Sequence, residues 1–196
     1  MASRCPFLLK KVELDEMKLL SVMAGLGVYH ALRRIYSEDC FAIKWPNDVL
    51  AGEKKICGIL CESKYDGQVA DVVCGIGINV AQQQDFFDEN GLPFATSLQL
   101  AAGKQVRQEI IAAGVLGEIE KTLGMYRDGK WPEILAQYRK SCINLGREVV
   151  VTQGDQAIEG VAEDLDEDGA LVVRADGKLH HIHAGEAHVR GLYGYV

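Results

Sequence analysis

Apolar and polar positions repeat with changing periods along the first 80 residues. Residues 6–14 combine apolar positions with two lysines and predict a strand. Asp15 is a plausible N-cap for the next segment, in which apolar residues recur at helical spacing as far as Tyr36. Short extended runs follow at 41–44, 49–51, 55–63 and 69–80, and the Asp66-Gly67 pair is a hairpin signal. This pattern predicts an antiparallel or mixed sheet packed on the first helix.

The second half of the chain changes from helical to alternating periodicity. Residues 81–94 are polar and irregular and predict a surface loop. Helical spacing then predicts helices over 106–127 and 131–142, with Pro132 in the first turn of the second helix. From Gly146 onwards apolar and polar residues alternate between glycine-containing turns. That alternation predicts four or five short strands in a small β-barrel.

The charge distribution supports two units that meet near residue 141. A chain of 196 residues is long enough for one large domain, or for one domain with a small appendix. Residues 141–196 contain 4 basic and 10 acidic residues, whereas residues 1–140 contain 17 and 18. The net charge of -7 also argues against nucleic-acid binding as the main activity, because nonspecific binding needs a basic face.

Composition argues against two further classes of protein. The chain is 48% hydrophobic and 25% charged, which is typical of a folded soluble protein. No apolar stretch approaches the ~18 residues that a membrane-spanning helix needs. The first residues do not have the pattern of a secretory signal. We therefore expect a cytoplasmic protein that does not cross a membrane.

Cysteine and histidine form no familiar metal-binding motif. The six cysteines, at positions 5, 40, 57, 61, 74 and 142, include no CxxC pair and predict six reduced thiols, most of them buried. Histidines cluster late in the chain, at His180, His181, His183 and His188. His181 and His183 would share one face of a strand, so a metal site is one interpretation, but a solvated barrel surface is favoured.

The segment KWPND carries the first candidate chemistry. A strand ends there in a turn fixed by proline, which presents a cation (Lys44), an amide (Asn47) and a carboxylate (Asp48). Asp48 is suited to a metal ion or a ribose hydroxyl, and Asn47 is suited to orienting a partner. The spacing alone favours the simpler interpretation, a turn with an Asx motif.

Two further segments suggest a ligand on a strand. Lys55 precedes Gly58 in a strand, which suits neutralisation of a phosphate or carboxylate beside an exposed backbone; a hairpin tip with a bulge glycine is equally possible. In the segment GIGINV, Gly75, Gly77 and Asn79 share one strand face. Such a bare face suits a flat ligand such as a purine, although GxGxN alone is weak evidence. The segment is not the dinucleotide-binding fingerprint, which opens a helix.

Taken together, KWPNDVL, KKICGIL and GIGINV, in this order and spacing, strongly resemble the catalytic domain of biotin protein ligases. The helix at 20–34, the ATSL segment at 95–98 and Gly185-Glu186 before Val189 and Arg190 also resemble features of that family. The resemblance implies an α+β fold. A class II synthetase-like mixed sheet with helices, shortened at its N-terminus, would occupy residues 1–141, and an SH3-like barrel residues 142–196.

The resemblance also implies a reaction. Biotin and ATP, with Mg²⁺, would give biotinyl-adenylate, and the biotinyl group would pass to a lysine on the biotin carrier domain of a carboxylase such as acetyl-CoA carboxylase. Lys55 would be the essential lysine, and Gly58 and Leu60 would line the biotin pocket with it. Asp48 would act in catalysis and in weak binding of Mg²⁺. The implied contacts to ATP and the adenylate are Lys44, Asn47, Asp48, Gly75, Gly77 and Asn79.

One family feature is not found in these residues, the arginine- and glycine-rich loop of the type GRGRxGRxW that closes over the adenylate. An arginine aimed at phosphate charge can contribute ~10³–10⁵ in rate. We therefore expect residues 1–196 to turn over slowly by themselves. A non-catalytic protein that binds biotin or the adenylate, and a lipoate ligase-like acyl transferase, are the alternatives. No helix-turn-helix domain is recognised, so DNA is an unlikely partner; the family often forms homodimers.

Overall fold

The computed structural model describes residues 2–36, 39–154, 156–184, 188–191 and 194–196, without the side chains of residues 2, 3 and 156. The first sheet contains six strands: β1 (Ala2–Arg4), β2 (Phe7–Val12), β3 (Phe41–Lys44), β4 (Asp48–Ala51), β5 (Lys54–Tyr65) and β6 (Ala70–Asn79). Their order is β1-β6-β5-β4-β3, and β2 also pairs with β6. All pairings between these strands are antiparallel. Of the two predicted arrangements, antiparallel and mixed, the sheet is therefore antiparallel.

The first helix, α1 (Leu14–Tyr36), packs across this sheet as predicted. It begins at Leu14, two residues before the first helical position expected after an N-cap at Asp15, so Asp15 is not its N-cap. Asp15 lies in the first turn, where a carboxylate is favourable beside the exposed backbone N–H groups, and it accepts a hydrogen bond from Lys18. Many α1 side chains are buried, among them Leu20, Met23 and Leu32. Burial on this scale explains why the helix forms around two internal glycines.

Four more helices follow the first sheet: α2 (Gln84–Glu89), α3 (Leu98–Ala102), α4 (Gln108–Arg127) and α5 (Trp131–Ser141). The prediction that residues 81–94 form only a surface loop is wrong, because α2 lies within them. Its Phe87 is fully buried and anchors the helix, whereas the neighbouring Phe86 is exposed. No helix in the described part of the chain combines the length and the apolar character needed to span a membrane.

The second sheet contains the five strands β7 (Glu148–Gln153), β8 (Gln156–Leu165), β9 (Leu171–Ala175), β10 (Lys178–Ile182) and β11 (His188–Gly191). Their order is β10-β9-β8-β7-β11, again antiparallel. The α+β class and the late sheet domain are therefore confirmed. The predicted boundary between residues 141 and 142 remains a prediction, and Gly185-Glu186 lies outside the described residues.

The turn between β8 and β9 joins the second sheet to the first part of the chain. The indole Nε1 of Trp45 donates to the carbonyl of Gly169 at 3.0 Å, and the indole Nε1 of Trp131 donates to the carbonyl of Glu167 at 2.7 Å. Arg139 of α5 adds a hydrogen bond of 2.7 Å to Asp164. The two sheets therefore share polar contacts as well as apolar packing.

The prediction of six reduced cysteines is wrong for one pair. Cys61 of β5 and Cys74 of β6 stand directly opposite each other and form a disulfide. The sequence places them 13 residues apart, and only the register of the hairpin makes them neighbours. Cys57 and Cys142 are buried thiols, as predicted, and burial raises the pKa of the Cys142 thiol to about 11.

Candidate active site

The turn between β3 and β4 is held by a buried tryptophan. Trp45 is fully buried, and its backbone N–H donates to the side-chain oxygen of Asn144 at 2.8 Å. The turn therefore has a fixed position between the first sheet and the segment that leads to the second. It places Lys44 at the end of β3 and Asp48 at the start of β4, where the two residues pair across the strands.

Asn47 ties this turn to β5. Its side-chain Nδ2 donates to the carbonyl of Ile59 at 2.9 Å, and the N–H of Ile59 donates to the carbonyl of Asn47 at 2.9 Å. The amide group is thus committed to holding two strands in register. This is not the predicted Asx motif, in which the side-chain oxygen accepts from a backbone N–H close by in the chain, because the side-chain oxygen of Asn47 has no hydrogen-bond partner in the described residues.

Asp48 and Lys55 form an ion pair at the centre of the site. Nζ of Lys55 lies 2.5 Å from Oδ1 of Asp48, and the exposed fractions of the two side chains are 38% and 8%. Gly58 lies beside this pair, because a Cβ atom at Gly58 would be 3.1 Å from Cε and 3.2 Å from Nζ of Lys55. A larger residue at position 58 would push the lysine side chain away. Lys55 and Gly58 are therefore neighbours, and their role in binding a ligand stays a prediction.

Lys44 is a buried cation in the same site. Only 5% of its surface is exposed. The pKa of its ammonium group is lowered to about 8, mainly by burial; Asp48 opposes the shift, and the charges of Lys55 and Arg190 contribute to it. Three cationic groups and one carboxylate thus face one small region, which suits the binding of an anion.

Tyr195 is a site residue that the sequence analysis missed. Its hydroxyl donates to Oδ2 of Asp48. Its ring stacks on Phe94, with centroids 5.8 Å apart and an interplanar angle of 15°, and Nζ of Lys44 lies 4.1 Å from the ring centroid. Burial raises the pKa of the Tyr195 hydroxyl, and the charge of Asp48 raises it further.

Phe94 reaches the site through a short parallel bridge to β5. The N–H of Lys55 donates to the carbonyl of Phe94 at 2.7 Å, and the N–H of Thr96 donates to the carbonyl of Lys55 at 2.9 Å. Ser97 then caps α3, because its hydroxyl accepts from the N–H of Leu100. The segment 95–98 therefore has a physical role: it fixes the backbone of Phe94 beside Lys55, and the Phe94 ring stacks on Tyr195.

Two cavities meet at Tyr195. The cavity on the turn side has a volume of about 460 Å³ and is lined by Lys44, Pro46, Asn47, Asp48, Lys55, Leu60, His188, Val189, Arg190 and Tyr195. The cavity on the loop side has a volume of about 500 Å³ and is lined by residues 91–95, Lys55, Arg190, Gly194 and Tyr195. Both volumes are within the range of small-molecule sites.

The glycine face of β6 lies next to the first cavity. Gly75, Gly77 and Asn79 are all on the more exposed face of the strand, as the alternation predicted. Gly77 pairs with Gly58, and Gly75 pairs with Leu60, whose side chain is 62% exposed. Neither cavity is lined by these three β6 residues, and the side chain of Asn79 accepts a hydrogen bond of 3.0 Å from Gln82.

The histidines do not form the metal cluster that was one interpretation of their spacing. Nδ1 of His181 lies 2.6 Å from Oδ2 of Asp166 in the turn before β9, and His188 lines the first cavity. Among the described residues, no group of three or more histidine, cysteine or acidic side chains is arranged to hold a metal ion. His181 therefore makes a local ion-pair contact at the sheet surface.

Comparison with known proteins assigns this antiparallel sheet and its site to a class of ligases. Residues 6–79 match the family model described as "Biotin/lipoate A/B protein ligase family", and residues 145–190 match "Biotin protein ligase C terminal domain". A biotin–[acetyl-CoA-carboxylase] ligase of Paracoccus denitrificans is 32% identical over 88% of this chain and 73% of its own length. The chain belongs to the biotin protein ligase family.

Other relatives and a solved structure agree with this assignment. The biotin–[acetyl-CoA-carboxylase] ligase of Mycobacterium tuberculosis is 34% identical over 87% of this chain and 62% of its own length. The bifunctional ligase/repressor BirA of Escherichia coli is 28% identical over 87% of this chain and 53% of its own length. The chain thus spans between about half and two thirds of these two relatives. The biotin protein ligase of Aquifex aeolicus superimposes with a TM-score of 0.87 at 30% identity, over 97% of this chain and 82% of that chain.

Proposed function

We propose that this chain carries the substrate site of a biotin protein ligase and catalyses ATP-dependent attachment of biotin to a lysine of a carrier domain. The observation that carries the proposal is the Lys55–Asp48 ion pair beside Gly58, at the edge of a cavity with an excess of positive charge. A fixed ammonium group at this position is suited to two anionic substrates, a carboxylate and a triphosphate. A related structure, the A. aeolicus enzyme in complex with biotin and ATP, has a TM-score of 0.81 at 28% identity.

The chemistry needs charge stabilisation in two steps. A carboxylate oxygen of biotin attacks the α-phosphorus of ATP, the bond to pyrophosphate breaks, and biotinyl-adenylate forms. The amine of the carrier lysine then attacks the acyl carbon, loses a proton and expels AMP. Negative charge grows on phosphate oxygens in the first step and on the acyl oxygen in the second. Lys55, held by Asp48, would stabilise both transition states.

The remaining site residues would bind the two halves of the adenylate. Gly58 and Leu60 would contact biotin, because one exposes backbone and the other exposes an apolar side chain. Lys44 and Asn47 lie on the turn beside the first cavity and would contact the phosphate and ribose. The bare strand face formed by Gly75, Gly77 and Asn79 would receive the adenine.

Asp48 and the free amide oxygen of Asn47 fit a Mg²⁺ ion that is bound mainly by nucleotide phosphates. One carboxylate cannot form a complete protein cage, and the described residues contain no cluster of three or more acidic, histidine or cysteine ligands. When bound with ATP, Mg²⁺ would neutralise phosphate charge. Oδ2 of Asp48 would have to exchange its hydrogen bond with Tyr195 for the ion.

The same proposal covers the partners and the location of the protein. The protein partner would be the biotin carrier domain of a carboxylase, and a homodimer is part of the same proposal. A cytoplasmic location follows from the use of ATP. A DNA partner is not proposed, because the net charge is -7.

A binding measurement separates the proposed class from its alternatives. A nonhydrolysable analogue of biotinyl-adenylate should raise the melting temperature by several degrees, because a ligand that binds only the native state stabilises it. The lipoyl analogue should raise it much less. Equal shifts with both analogues would favour the lipoate ligase-like alternative, and no shift with the biotinyl analogue would contradict the proposal.

A turnover measurement separates a ligase from a binding protein. The chain is incubated with biotin, MgATP and a carrier domain, and intact mass reports the added biotinyl group. We expect slow but measurable transfer, which Lys55→Met should reduce at least tenfold, whereas Lys54→Met at the exposed neighbouring position should leave it unchanged. Tight binding of the analogue without any transfer would favour a non-catalytic binding protein.

A further inference from the structure

The two cavities at the site share three lining residues, one of which lies on irregular backbone. Lys55, Arg190 and Tyr195 line both cavities. Lys55 belongs to β5 and Arg190 to β11, so both are held by sheet pairing. Tyr195 lies in the segment 194–196, outside the strands. This segment contacts β11 through the N–H of Gly194, which lies 3.4 Å from the carbonyl of Gly191. Of the three shared residues, Tyr195 is the one whose displacement would leave both sheets intact.

Three contacts hold the Tyr195 ring between the cavities. The hydroxyl donates to Oδ2 of Asp48, the ring stacks on Phe94, and the ammonium group of Lys44 lies 4.1 Å from the ring centroid. These contacts use the groups proposed to bind the nucleotide. The carboxylate of Asp48 then has both oxygens engaged, one by Lys55 and one by Tyr195. A ligand that needs Asp48 or Lys44 therefore competes directly with this tyrosine.

We propose that Tyr195 is an intramolecular gate that covers Asp48 and Lys44 and that swings out when an adenylate binds to these two residues. The inference rests on the proposed function, because it concerns the regulation of the same site. With the gate closed, the tyrosine hydroxyl occupies one oxygen of Asp48 and the tyrosine ring covers the ammonium group of Lys44. A two-part ligand such as an acyl-adenylate must break the hydrogen bond to Asp48 and the stacking on Phe94 before it can contact these groups.

This gate lowers the apparent affinity for the two-part ligand by the fraction of molecules in which it is open. If the gate is open in about one molecule in ten, its removal strengthens the apparent affinity about tenfold. Biotin alone, which is proposed to contact Lys55, Gly58 and Leu60, needs neither Asp48 nor Lys44 and does not require opening. The gate therefore predicts that removing Tyr195 changes the affinity for the two-part ligand but not the affinity for biotin. A general loosening of the fold would change both affinities.

The test uses the full chain and two probes, the nonhydrolysable biotinyl-adenylate analogue and biotin, with dissociation constants measured by calorimetry. Tyr195→Ala should lower the Kd of the analogue about tenfold and change that of biotin less than twofold. Tyr195→Phe keeps the ring and removes the hydrogen bond to Asp48. Its Kd for the analogue should therefore lie between the values for the wild type and for Tyr195→Ala. Tyr65→Ala, at an exposed tyrosine on β5, is the matched control and should equal the wild type.

The outcomes keep the gate and the proposed function distinct. If the wild type binds the analogue and Tyr195→Ala binds it equally well or more weakly, the gate is overturned while the proposed function stands. Weaker binding in both Tyr195 variants would make the tyrosine part of the ligand-binding surface instead. If neither the wild type nor any variant binds the analogue, the proposed function itself fails. Tyr195→Phe keeps the test valid if Tyr195→Ala does not fold.

Discussion

Oδ1 of Asp48 lies 2.5 Å from Nζ of Lys55, although the two residues belong to neighbouring strands and only one of them is buried. The buried partner is the carboxylate, which is 8% exposed, and the lysine reaches it from a more open position. A carboxylate fixed by strand pairing therefore determines where the ammonium group lies. Asp48 is a positioning residue for Lys55 before any ligand is bound.

Asp48→Asn should weaken adenylate formation more than it weakens folding. The amide keeps the shape of the side chain but removes the negative charge that holds Lys55, so we expect at least a tenfold loss in the rate of pyrophosphate release. The control is Asp85→Asn, an exposed carboxylate in α2 that lies away from the site. An equal loss of rate in both variants would contradict the positioning role.

Lys44 should give the protein a distinctive pH dependence of stability. Its pKa is about 8 in the folded protein, lowered by burial from 10.5. Between these two pH values the unfolded chain holds the proton that the folded protein has released, so the free energy of unfolding rises with pH. The shift corresponds to about 3 kcal/mol.

The measurement compares the wild type with Lys44→Met in chemical unfolding at pH 7, 8, 9 and 10. The wild type should gain stability relative to the variant across this range, because Lys44 is charged and buried only at the lower pH values. Subtracting the free energy of unfolding of Lys44→Met from that of the wild type at each pH removes the contributions of other titrating groups. Two parallel stability profiles would show that Lys44 keeps its charge in the folded protein.

Gly27 should tolerate no side chain. A Cβ atom there would lie 2.6 Å from Cγ1 and 2.9 Å from the Cα of Ile119, so α1 and α4 would have to separate. We expect Gly27→Ala to lower the free energy of unfolding by about 1–3 kcal/mol. Gly117→Ala in α4 is the matched control, because no atom lies within 4 Å of its Cβ position.

The control Gly117→Ala should raise the free energy of unfolding, because alanine is favoured over glycine within a helix by about 1 kcal/mol. Denaturant titration of the two variants beside the wild type gives both values. A stabilising effect of Gly27→Ala would mean that the two helices are less closely packed than the structure has them.

The Cys61–Cys74 disulfide should contribute to stability. The link closes a loop with a sequence separation of 13, for which the loss of chain entropy corresponds to about 3 kcal/mol. Reductant should therefore lower the melting temperature of the wild type and leave that of the double variant Cys61→Ser/Cys74→Ser unchanged. Peptide mapping without reductant should recover the two segments as one linked species. Recovery of separate segments would contradict the pairing.

Local chemistry was predictable from the sequence, and long-range contacts were not. Lys44, Asn47 and Asp48 were found because they are contiguous and because the proline turn that presents them is itself a sequence signal. The alternating face of Gly75, Gly77 and Asn79 was found for the same reason, since a strand has a period of two. Both predictions depend only on neighbouring residues.

The missed features depend on tertiary structure. Tyr195 bonds to a carboxylate 147 positions earlier in the chain, and nothing in its own surroundings indicates that partner. A second aromatic residue close by in the printed sequence was the one available signal, and it is too common to be specific. The helix α2 was missed because a single buried phenylalanine anchors it, and the disulfide was missed because the strand register decides which cysteines meet.

The indole hydrogen bonds of Trp45 and Trp131 both end on the turn between β8 and β9, at the carbonyls of Gly169 and Glu167. The first tryptophan also forms the turn that carries Lys44 and Asp48. The position of that turn therefore depends on a hydrogen bond to the late sheet. The late sheet thus acts as a mechanical support for the turn that carries Lys44 and Asp48.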